Sequence, residues 1–338
     1  MNKKSVFRIV ITFIVVSALF IAGYFAIDAY TQKVPIMSIR QSKKIGATYM
    51  TLNNPFFEII DEQLQNILST EGYTLMSLDP VLDLKTQREQ IEYLIDQKVD
   101  AIVVNPVDYK GLRTVLNKAY KADIPIFTVD TEVIDEDLVT YNIVSDNYDA
   151  GVQCAKDMMQ RQDKANIVLL EHNTANSACL RIQGFVDTIE GNANYQIIKR
   201  IECQGQLEVA MPLMEEYLQE NENIDVVMAL NDPSALGALA ALESQNKLQD
   251  VLVYGVDGTP EAKRLINEGR MQATVAQSPE TMGKKAGQAI LDYFNGKKIQ
   301  KNVVETVTII TQDNIQDIHW RGGSDEGVFK NRLDISIC

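Results

Sequence analysis

Residues 251–283, VLVYGVDGTPEAKRLINEGRMQATVAQSPETMG, decide how this chain folds. An apolar run, 251–256, ends at Asp257, and a helical pattern begins at Pro260 after a short turn. A second, shorter apolar run ends at Gln277. Buried parallel strands are continuous apolar runs, and proline is common in the first turn of a helix. The pattern predicts strand, helix, strand, with Asp257 and Gln277 at the carboxyl ends of strands, where open α/β sheets bind ligands.

The same succession of strand and helix recurs along most of the chain in two series. The first series occupies residues 44–145 and the second occupies residues 148–276. A helix at 279–295 and an apolar segment at 303–310 close the fold. Alternation of this kind produces parallel sheets covered by helices on both faces. Because about ten such units exceed one sheet, we predict an α/β fold with two lobes, each a doubly wound parallel sheet.

Charge excludes one class of partner. The chain has 338 residues and a formal net charge of −14; residues 1–40 contribute +4, so the remainder carries −18. Proteins that bind nucleic acid need clustered Lys and Arg for phosphate contacts, and this acidic body has no such cluster. The sequence also contains neither G-x-G-x-x-G nor G-x-x-x-x-G-K, the motifs that hold nucleotide phosphates. We therefore predict no nucleic-acid partner.

Residues for catalysis or metal binding are few. The two histidines, His172 and His319, are too few for most zinc sites, and the four cysteines form no C-x-x-C pair. The acidic run 132–139 lacks the glycine of a calcium loop and is interpreted as a solvated loop. His172 is expected to be structural or to lie at a pocket rim. We predict no enzymatic activity, no cofactor and no metal, and cysteines that are free and mostly buried.

The N-terminus carries a candidate membrane anchor. Residues 9–27 are nineteen uncharged, mostly apolar residues, enough for a helix of about 29 Å that spans a bilayer core. Lys3, Lys4 and Arg8 precede this run and favour a cytoplasmic N-terminus. We predict a signal anchor within residues 1–30, followed by a spacer at 31–42, that holds an extracytoplasmic body on the cell membrane. A cleaved signal peptide remains the alternative.

The apolar runs end at polar residues of one chemical kind, neutral amides, carboxylates and one hydroxyl. These residues are Asn54, Asn105, Asp130, Ser145, Asp146, Asn231, Asp257 and Gln277. Amides donate and accept hydrogen bonds, and an ionised carboxylate accepts bonds from adjacent hydroxyls, so the set suits a polyhydroxylated ligand. Phe56 and Phe57 add an apolar face for a sugar ring, and Arg181 supplies one cation.

Eight ordered segments between residues 43 and 312 carry a family resemblance: LNNPFF, VVNPVD, FTVDT, VSDN, LRIQGF, LNDPSALGAL, YGVDGTP and ATVAQSPETMG. They resemble the D-ribose-binding-protein family, the type I periplasmic sugar-binding proteins of ABC importers. The resemblance implies sugar ligation by Asn54, Phe56, Phe57, Asn105, Asp130, Arg181, Asn231, Asp257 and Gln277. It places Ser145 and Asp146 in a segment that forms the pocket wall and crosses between lobes.

The resemblance also implies two Rossmann-like lobes joined by a hinge, of the periplasmic-binding-protein type I, and it implies how the chain is divided between them. The first lobe is expected at 43–145 and 278–304, the second at 146–277 and 305–320, with a loose tail at 321–338. A monosaccharide, pentose or hexose, would bind between the lobes and be presented to an ABC permease. The alternative is an anchored sensor that signals through a histidine kinase or a chemoreceptor. LacI-type repressors share the fold, but the membrane segment here takes the place of their helix-turn-helix.

Three departures from the family pattern leave the sugar open. Thr131 stands where the ribose binder has an arginine, and Val256 stands where it has an aromatic residue. Residues 203–206, CQGQ, fill the place of another aromatic residue. One cation and two stacking surfaces are therefore missing, so another pentose, a hexose or a related polyol is as good a ligand as ribose.

Overall fold

The computed structural model describes residues 2, 17, 19–24, 42–220 and 223–316. The chain divides into two units, residues 1–42 and 43–338. In the first unit, residues 17 and 19–24 are helical. The predicted anchor and spacer lie largely outside the described residues, and the predicted tail lies wholly outside them. No helix within the described ranges is both long enough and apolar enough to cross a membrane.

Twelve strands are present in the described part of the second unit. In chain order they are β1 (Lys44–Thr48), β2 (Thr74–Leu78), β3 (Ala101–Val104), β4 (Ile126–Val129), β5 (Tyr141–Ser145), β6 (Ala165–Glu171), β7 (Tyr195–Glu202), β8 (Val226–Ala229), β9 (Leu252–Asp257), β10 (Ala273–Ala276), β11 (Asn302–Glu305) and β12 (Thr308–Thr311). The central strands β3, β4 and β8 are buried at every position, as expected for strands covered on both faces.

The α-helices of the same unit lie between these strands. They are α1 (Pro55–Ser69), α2 (Leu84–Asp96), α3 (Arg113–Lys121), α4 (Asn147–Arg161), α5 (Asn176–Ile189), α6 (Leu207–Glu220), α7 (Asp232–Ser244), α8 (Pro260–Asn267) and α9 (Pro279–Phe294). Within the described residues, one 3₁₀ turn covers Glu136–Leu138. Four of the helices (α1, α7, α8 and α9) have proline in their first turn, which explains why the sequence pattern located their starts.

The strands form two six-stranded sheets with matching topology. The first has the order β11-β5-β4-β3-β1-β2 and is parallel throughout. The second has the order β12-β10-β9-β8-β6-β7 and is parallel except for β12, which runs antiparallel to β10. Each sheet is the centre of one lobe. The prediction of an α/β fold with two doubly wound lobes is therefore confirmed.

Each sheet has a point at which the direction of winding reverses. In the first sheet that point lies between β1 and β3, and in the second it lies between β6 and β8. Crevices at such points, beyond the carboxyl ends of the strands, are where doubly wound sheets bind ligands. Asn54 and Asn105 follow β1 and β3, while His172 and Asn231 follow β6 and β8. The topology therefore predicts a ligand-binding site at the ends of these four strands.

The chain passes between the sheets three times: after β5, after β10 and between β11 and β12. The segment at 303–310, treated as one closing element in the sequence, is two strands that join different sheets. Thr306 and Val307 separate them. The predicted boundary assigns Glu305 to the second lobe, although this residue ends β11 of the first sheet; the division into lobes otherwise remains a prediction.

Two glycines let α4 and α5 pack closely. A Cβ atom placed on Gly151 would lie 1.8 Å from the carbonyl oxygen of Arg181, and one on Gly184 would lie 2.1 Å from that of Tyr148. No side chain fits at either contact, because neither backbone can move away without displacing its helix. The contact fixes the position of α5 against α4 and therefore the position of Arg181.

We expect Gly151→Ala to lower the unfolding free energy by roughly 1–3 kcal/mol, because the added methyl group overpacks the contact between α4 and α5. Urea unfolding followed by circular dichroism measures this change. Gln160→Ala, on the exposed face of α4, is the matched control and should change stability by less than about 0.5 kcal/mol. Equal stability of the two variants would contradict the close packing described for Gly151.

Candidate ligand-binding site

The carboxyl ends of strands from both sheets surround one cavity of about 30 Å³. Its lining residues are Met50, Asn54, Phe56, Phe57, Asp130, His172, Ala175, Ser177, Ala178, Arg181, Gln204, Gly205, Gln206, Leu230, Asn231 and Asp257. Both lobes contribute to this set. The volume holds only about one or two water molecules, so a sugar can enter only if the lobes separate or the lining rearranges.

Seven of the eleven predicted residues line the cavity: Asn54, Phe56, Phe57, Asp130, Arg181, Asn231 and Asp257. Two more of the predicted residues donate a hydrogen bond to a carboxylate of the lining: Asn105 donates to Asp130, and Gln277 donates to Asp257. Ser145 and Asp146 are not among the lining residues. The structure therefore brings nine of the predicted residues into one connected group.

Asn105 positions Asp130 at the edge of the first sheet. The Nδ2 group of Asn105 donates to Asp130 Oδ2 at 3.2 Å and to the Val129 carbonyl at 3.1 Å, and its Oδ1 accepts from Met50 N at 3.0 Å. Thr131 Oγ1 donates a further bond to Asp130 Oδ2 at 3.0 Å. Asp130 has φ of 65°, a left-handed conformation that aspartate tolerates better than most residues. Its other carboxylate oxygen, Oδ1, faces Arg181.

The start of α1 supplies an aromatic surface to the cavity. Asn54 caps the helix, because its Oδ1 accepts from Phe56 N at 3.0 Å. The rings of Phe56 and Phe57 meet edge to face, with centroids 5.5 Å apart and an interplanar angle of 86°. Both rings line the cavity and are buried. Such a surface can contact the C–H face of a sugar ring, while the cap holds α1 at the cavity.

Arg181 connects the two lobes electrostatically. Its NH2 group lies 3.9 Å from Asp130 Oδ1, and its NH1 group lies 3.8 Å from Asp257 Oδ1. Neutral acceptors orient the guanidinium: Nε donates to Asn147 Oδ1 at 2.8 Å and NH1 donates to the Leu230 carbonyl at 3.0 Å. All three charged side chains are about 5% exposed. One cation is therefore shared between two buried carboxylates.

Asp257 is the most perturbed group of the site. Its φ of 138° is a region that residues with a side chain rarely adopt, and strain of this kind is concentrated at functional sites. Gln277 Nε2 donates to its Oδ1 at 2.8 Å, whereas Oδ2 is buried with no hydrogen-bond partner. Burial raises the pKa of Asp257 to about 8; Arg181 and Gln277 lower it, while Asp232 and Asp130 raise it further. Burial also raises the pKa of Asp130, against the opposing effect of Arg181.

Two further lining residues of the second lobe, Asn231 and His172, have hydrogen-bond partners within that lobe. Asn231 caps α7: its Oδ1 accepts from Ser234 N at 3.0 Å, and its Nδ2 donates to the Gly205 carbonyl at 3.0 Å. His172 lines the cavity, as expected for a histidine at a pocket rim, and its Nε2 is 2.9 Å from Thr174 Oγ1. Burial lowers the pKa of His172, which favours the neutral ring.

Asp146 and Asn147, adjacent at the start of α4, differ in burial and in hydrogen bonding. Asp146 is exposed and caps α4, with Oδ1 accepting from Asp149 N at 3.0 Å. Ser145 is buried, and its Oγ has no hydrogen-bond partner. Asn147, one residue further on, is buried and holds Arg181. The placement of Asp146 in the pocket wall is therefore wrong, because the first turn of α4 directs Asn147 toward the site and Asp146 toward solvent.

Three further residues of the site were not singled out in the sequence. Asn147 supports Arg181, and Ser177 Oγ lies 2.7 Å from Thr131 Oγ1. Asp232 is fully buried beside β9, where its oxygens accept from Thr259 N at 2.8 Å and Thr274 Oγ1 at 2.6 Å. Asn147 lies in the segment VSDN and Asp232 lies in LNDPSALGAL. Each could therefore have been proposed as a site residue from the sequence, because each follows a predicted site residue directly. Ser177 carries no comparable signal.

Residues 45–298 match the family described as periplasmic binding protein domain. The chain belongs to this family. It is 31% identical over 268 residues to the ribose import binding protein of Bacillus subtilis, an alignment that covers 79% of this chain and 87% of the relative. The chain is accordingly a solute-binding protein and not an enzyme.

Solved structures share the fold of this periplasmic binding protein. One is an ABC transporter solute-binding protein from Bacillus halodurans with bound myo-inositol, with a TM-score of 0.77 and 26% identity, covering 82% of this chain and 96% of that one. Another is the fructose-binding periplasmic domain of a hybrid two-component system, with a TM-score of 0.77 and 22% identity, covering 81% and 92%. At that identity the second similarity shows the fold alone.

The two lobes of this periplasmic binding protein also touch directly around the cavity. Tyr109 N donates to the Thr174 carbonyl at 3.0 Å, Asn176 Nδ2 donates to Glu132 Oε2 at 2.7 Å, and Asn53 Nδ2 donates to Glu208 Oε1 at 3.0 Å. Thr131 and Ser177 form a fourth contact, so Thr131, which is fully buried, bonds both to Asp130 and across the lobes. These contacts stabilise the closed arrangement of the lobes.

The three cysteines among the described residues agree with the sequence expectation. Cys154 and Cys203 are buried and Cys179 is half-buried, and all three are free. Burial raises the pKa of each thiol, which makes the reactive thiolate scarce at neutral pH. Cys338 and His319 lie outside the described residues.

We expect Arg181→Met to destabilise the protein by roughly 3 kcal/mol or more at pH 7, because the buried carboxylate of Asp130 loses its cation, whereas Asp257, with a pKa of about 8, is already largely protonated at this pH. Urea unfolding measures the loss. Adding Asp130→Asn and Asp257→Asn to the same chain should restore most of the stability, since the uncompensated charge is then absent. A triple variant as unstable as Arg181→Met would show that Arg181 acts through packing instead of through charge.

Proposed function

We propose that this chain is an extracytoplasmic solute-binding protein that captures a monosaccharide, a pentose or a hexose, and presents it to an ABC sugar importer. The observation that carries the proposal is the pair of buried carboxylates, one from each lobe, that face a single arginine in the cavity. Carboxylates placed in this way accept hydrogen bonds from the hydroxyls of one ligand that lies between them.

The remaining lining supports a sugar over other solutes. Phe56 and Phe57 offer an apolar face, while Asn54 and Asn231 offer amides at helix starts. Apolar surface beside directional polar groups is the combination that a sugar ring needs, because the ring has C–H faces and a hydroxyl perimeter. Two similar proteins support a polyhydroxylated ligand, since one is named for ribose import and one solved structure contains myo-inositol, a cyclic polyol.

Hinge closure follows from the distribution of these groups. Asp130 belongs to the first sheet and Asp257 to the second, so a ligand bonded to both stabilises only the arrangement in which the lobes are together. Hinge closure around a ligand is the motion known for periplasmic binding proteins. In the proposed mechanism the closed surface, formed by both lobes, is what the permease recognises.

A thermal-shift screen of the purified full chain against pentoses, hexoses and polyols tests the proposal. At 100 times its dissociation constant, a ligand should add about 2.7 kcal/mol of stability and raise the melting temperature. Asp130→Ala removes one ligand carboxylate, and it should abolish the shift. No shift with any member of the panel would contradict a monosaccharide function.

The second candidate function is a membrane-anchored sugar sensor that signals through a histidine kinase or a chemoreceptor. Its support is the apolar run 9–27, whose length suits a single membrane-spanning helix with the binding lobes outside the cell. A receptor held at the membrane presents its closed state to a fixed partner. The anchor and the sensing role both remain predictions, and the same closed surface would serve either partner.

We expect the N-terminal segment to remain attached in the mature protein, because the run is long enough to span and the first cysteine, Cys154, offers no early site for lipid attachment. Mass spectrometry of the protein from the membrane fraction determines the N-terminal residue. A mature chain that begins between about residues 23 and 32 would show cleavage by signal peptidase and remove the support for a tethered sensor.

A further inference from the structure

The first two turns of α5, in the second lobe, contact the loop that follows β4 of the first lobe. Three residues of the helix each meet one of three consecutive loop residues. Ser177 and Arg181 are four residues apart and therefore lie on one face of the helix. We call the three contacts the latch; its pairs are Asn176–Glu132 and Ser177–Thr131, each at 2.7 Å, and Arg181–Asp130 at 3.9 Å.

The hydroxyl pair of the latch, Ser177 and Thr131, is shielded from water. Thr131 has no exposed surface, and Ser177 is 4% exposed. Asn176 and Glu132 are half-buried, so water competes for their hydrogen bond even when the lobes are closed. Water reaches the two hydroxyls only when the lobes separate. The hydroxyl pair is therefore the uncharged contact of the latch that depends most on closure.

The direction of the hydrogen bonds in this pair follows from the number of hydrogens. A hydroxyl has one hydrogen to donate and can accept two bonds. Thr131 Oγ1 donates its hydrogen to Asp130 Oδ2 at 3.0 Å. Ser177 is therefore the donor in the 2.7 Å bond between the two hydroxyls. The result is a chain of donors that crosses from the second lobe to the first, from Ser177 to Thr131 to Asp130.

The donor chain completes the hydrogen bonding of one carboxylate oxygen. Asp130 Oδ2 accepts from both Thr131 and Asn105, and Oδ1 faces Arg181. Hydrogen bonds in series strengthen one another, because a hydroxyl that accepts a bond becomes a better donor. When the lobes separate, Thr131 loses Ser177 and can turn its hydrogen toward water. The closure of the lobes and the alignment of Asp130 are therefore linked.

We propose that the Ser177–Thr131 pair couples closure of the lobes to the hydrogen bonding of Asp130, so that the ligand-free chain already closes onto an aligned carboxylate. Ser177 acts on Asp130 through Thr131, which is the positioning residue. Coupling of this kind is reciprocal, because a carboxylate that strengthens the donor chain also favours the closed lobes. The inference goes beyond the proposed function, since it concerns the chain without ligand and is tested without any sugar.

One backbone amide reports closure of the lobes directly. Tyr109 N donates across the lobes to the Thr174 carbonyl at 3.0 Å. Val107 N, two residues earlier in the same loop, donates to Gln87 Oε1 within the first lobe at 2.8 Å. Residue-resolved amide hydrogen exchange on the full chain in detergent, without added sugar, therefore separates two events. Opening of the lobes exposes the Tyr109 amide alone, whereas unfolding of the loop exposes both amides.

Two changes at residue 131 test the latch. Thr131→Val should lower the protection of the Tyr109 amide about fivefold or more, because the Ser177 hydroxyl is then buried without its acceptor. Thr131→Ser keeps a hydroxyl at this position and should restore most of the protection. Ser69→Ala, at the exposed end of α1, is the matched control for the serine variant below and should leave the Tyr109 amide unchanged.

A double-mutant cycle between residues 177 and 130 tests the coupling. Ser177→Ala should lower the protection of the Tyr109 amide about fivefold in the parent chain. In Asp130→Asn the same change should cost only about twofold, because a donor chain that ends on a charged acceptor is about twice as strong as one that ends on a neutral acceptor. A simple contact between the lobes would cost the same in both backgrounds.

Three results would overturn the inference. The first is an unchanged Tyr109 amide in both Thr131→Val and Ser177→Ala, and the second is an equal loss at Val107, which would indicate unfolding of the loop. The third is a cost of Ser177→Ala that does not depend on Asp130. Each of these results leaves the sugar-binding proposal standing, because no ligand takes part in the measurement.

Discussion

One guanidinium, that of Arg181, makes the rest of the site possible. Asp130 and Asp257 come from different sheets, and each is buried at the contact between the lobes. Without a cation between them, both carboxyl groups would be still harder to ionise in the closed arrangement of the lobes, because Arg181 is the charged group that opposes the effect of burial on their pKa values. The position of that cation depends on the packing of two helices, because Gly151 and Gly184 allow α4 and α5 to approach until Asn147 reaches Arg181 Nε.

The two carboxylates of the site, Asp130 and Asp257, lower the stability of the folded chain. Both carboxylates have positive φ, and Asp257 leaves a buried oxygen without a partner. Burial raises the pKa of Asp257 from 3.8 to about 8, so the folded chain binds this proton more tightly than the unfolded chain does. The stability contributed by the protonated group is therefore complete below about pH 4 and is lost as the pH rises through 8. A ligand donor at Oδ2 would remove that cost.

Most strand ends could be predicted from the sequence, because apolar runs end abruptly and parallel strands bring their carboxyl ends to one edge of a sheet. Asn54, Asp130, Asn231 and Asp257 were found in this way. Ser177 could not be found, because it meets Thr131 through a contact between distant segments. Asn147 lies in one of the quoted segments, but its partner Arg181 is also distant in sequence and could not be predicted. The error at Asp146 has the same origin: adjacent residues in the first turn of a helix point to different sides, and no local pattern says which side faces Arg181.

Direct contacts between the lobes reduce the free energy that the ligand must supply for closure. Tyr109, Asn176 and Asn53 already bond across the cleft without using any oxygen of Asp130 or Asp257. A ligand shifts the equilibrium only by the difference in its affinity for the closed and open forms, so direct contacts of this kind raise the closed population before binding. They also close the route into a cavity of about 30 Å³. A sugar can therefore bind only after the lobes separate or the lining rearranges, and contacts that favour the closed lobes slow both its entry and its release.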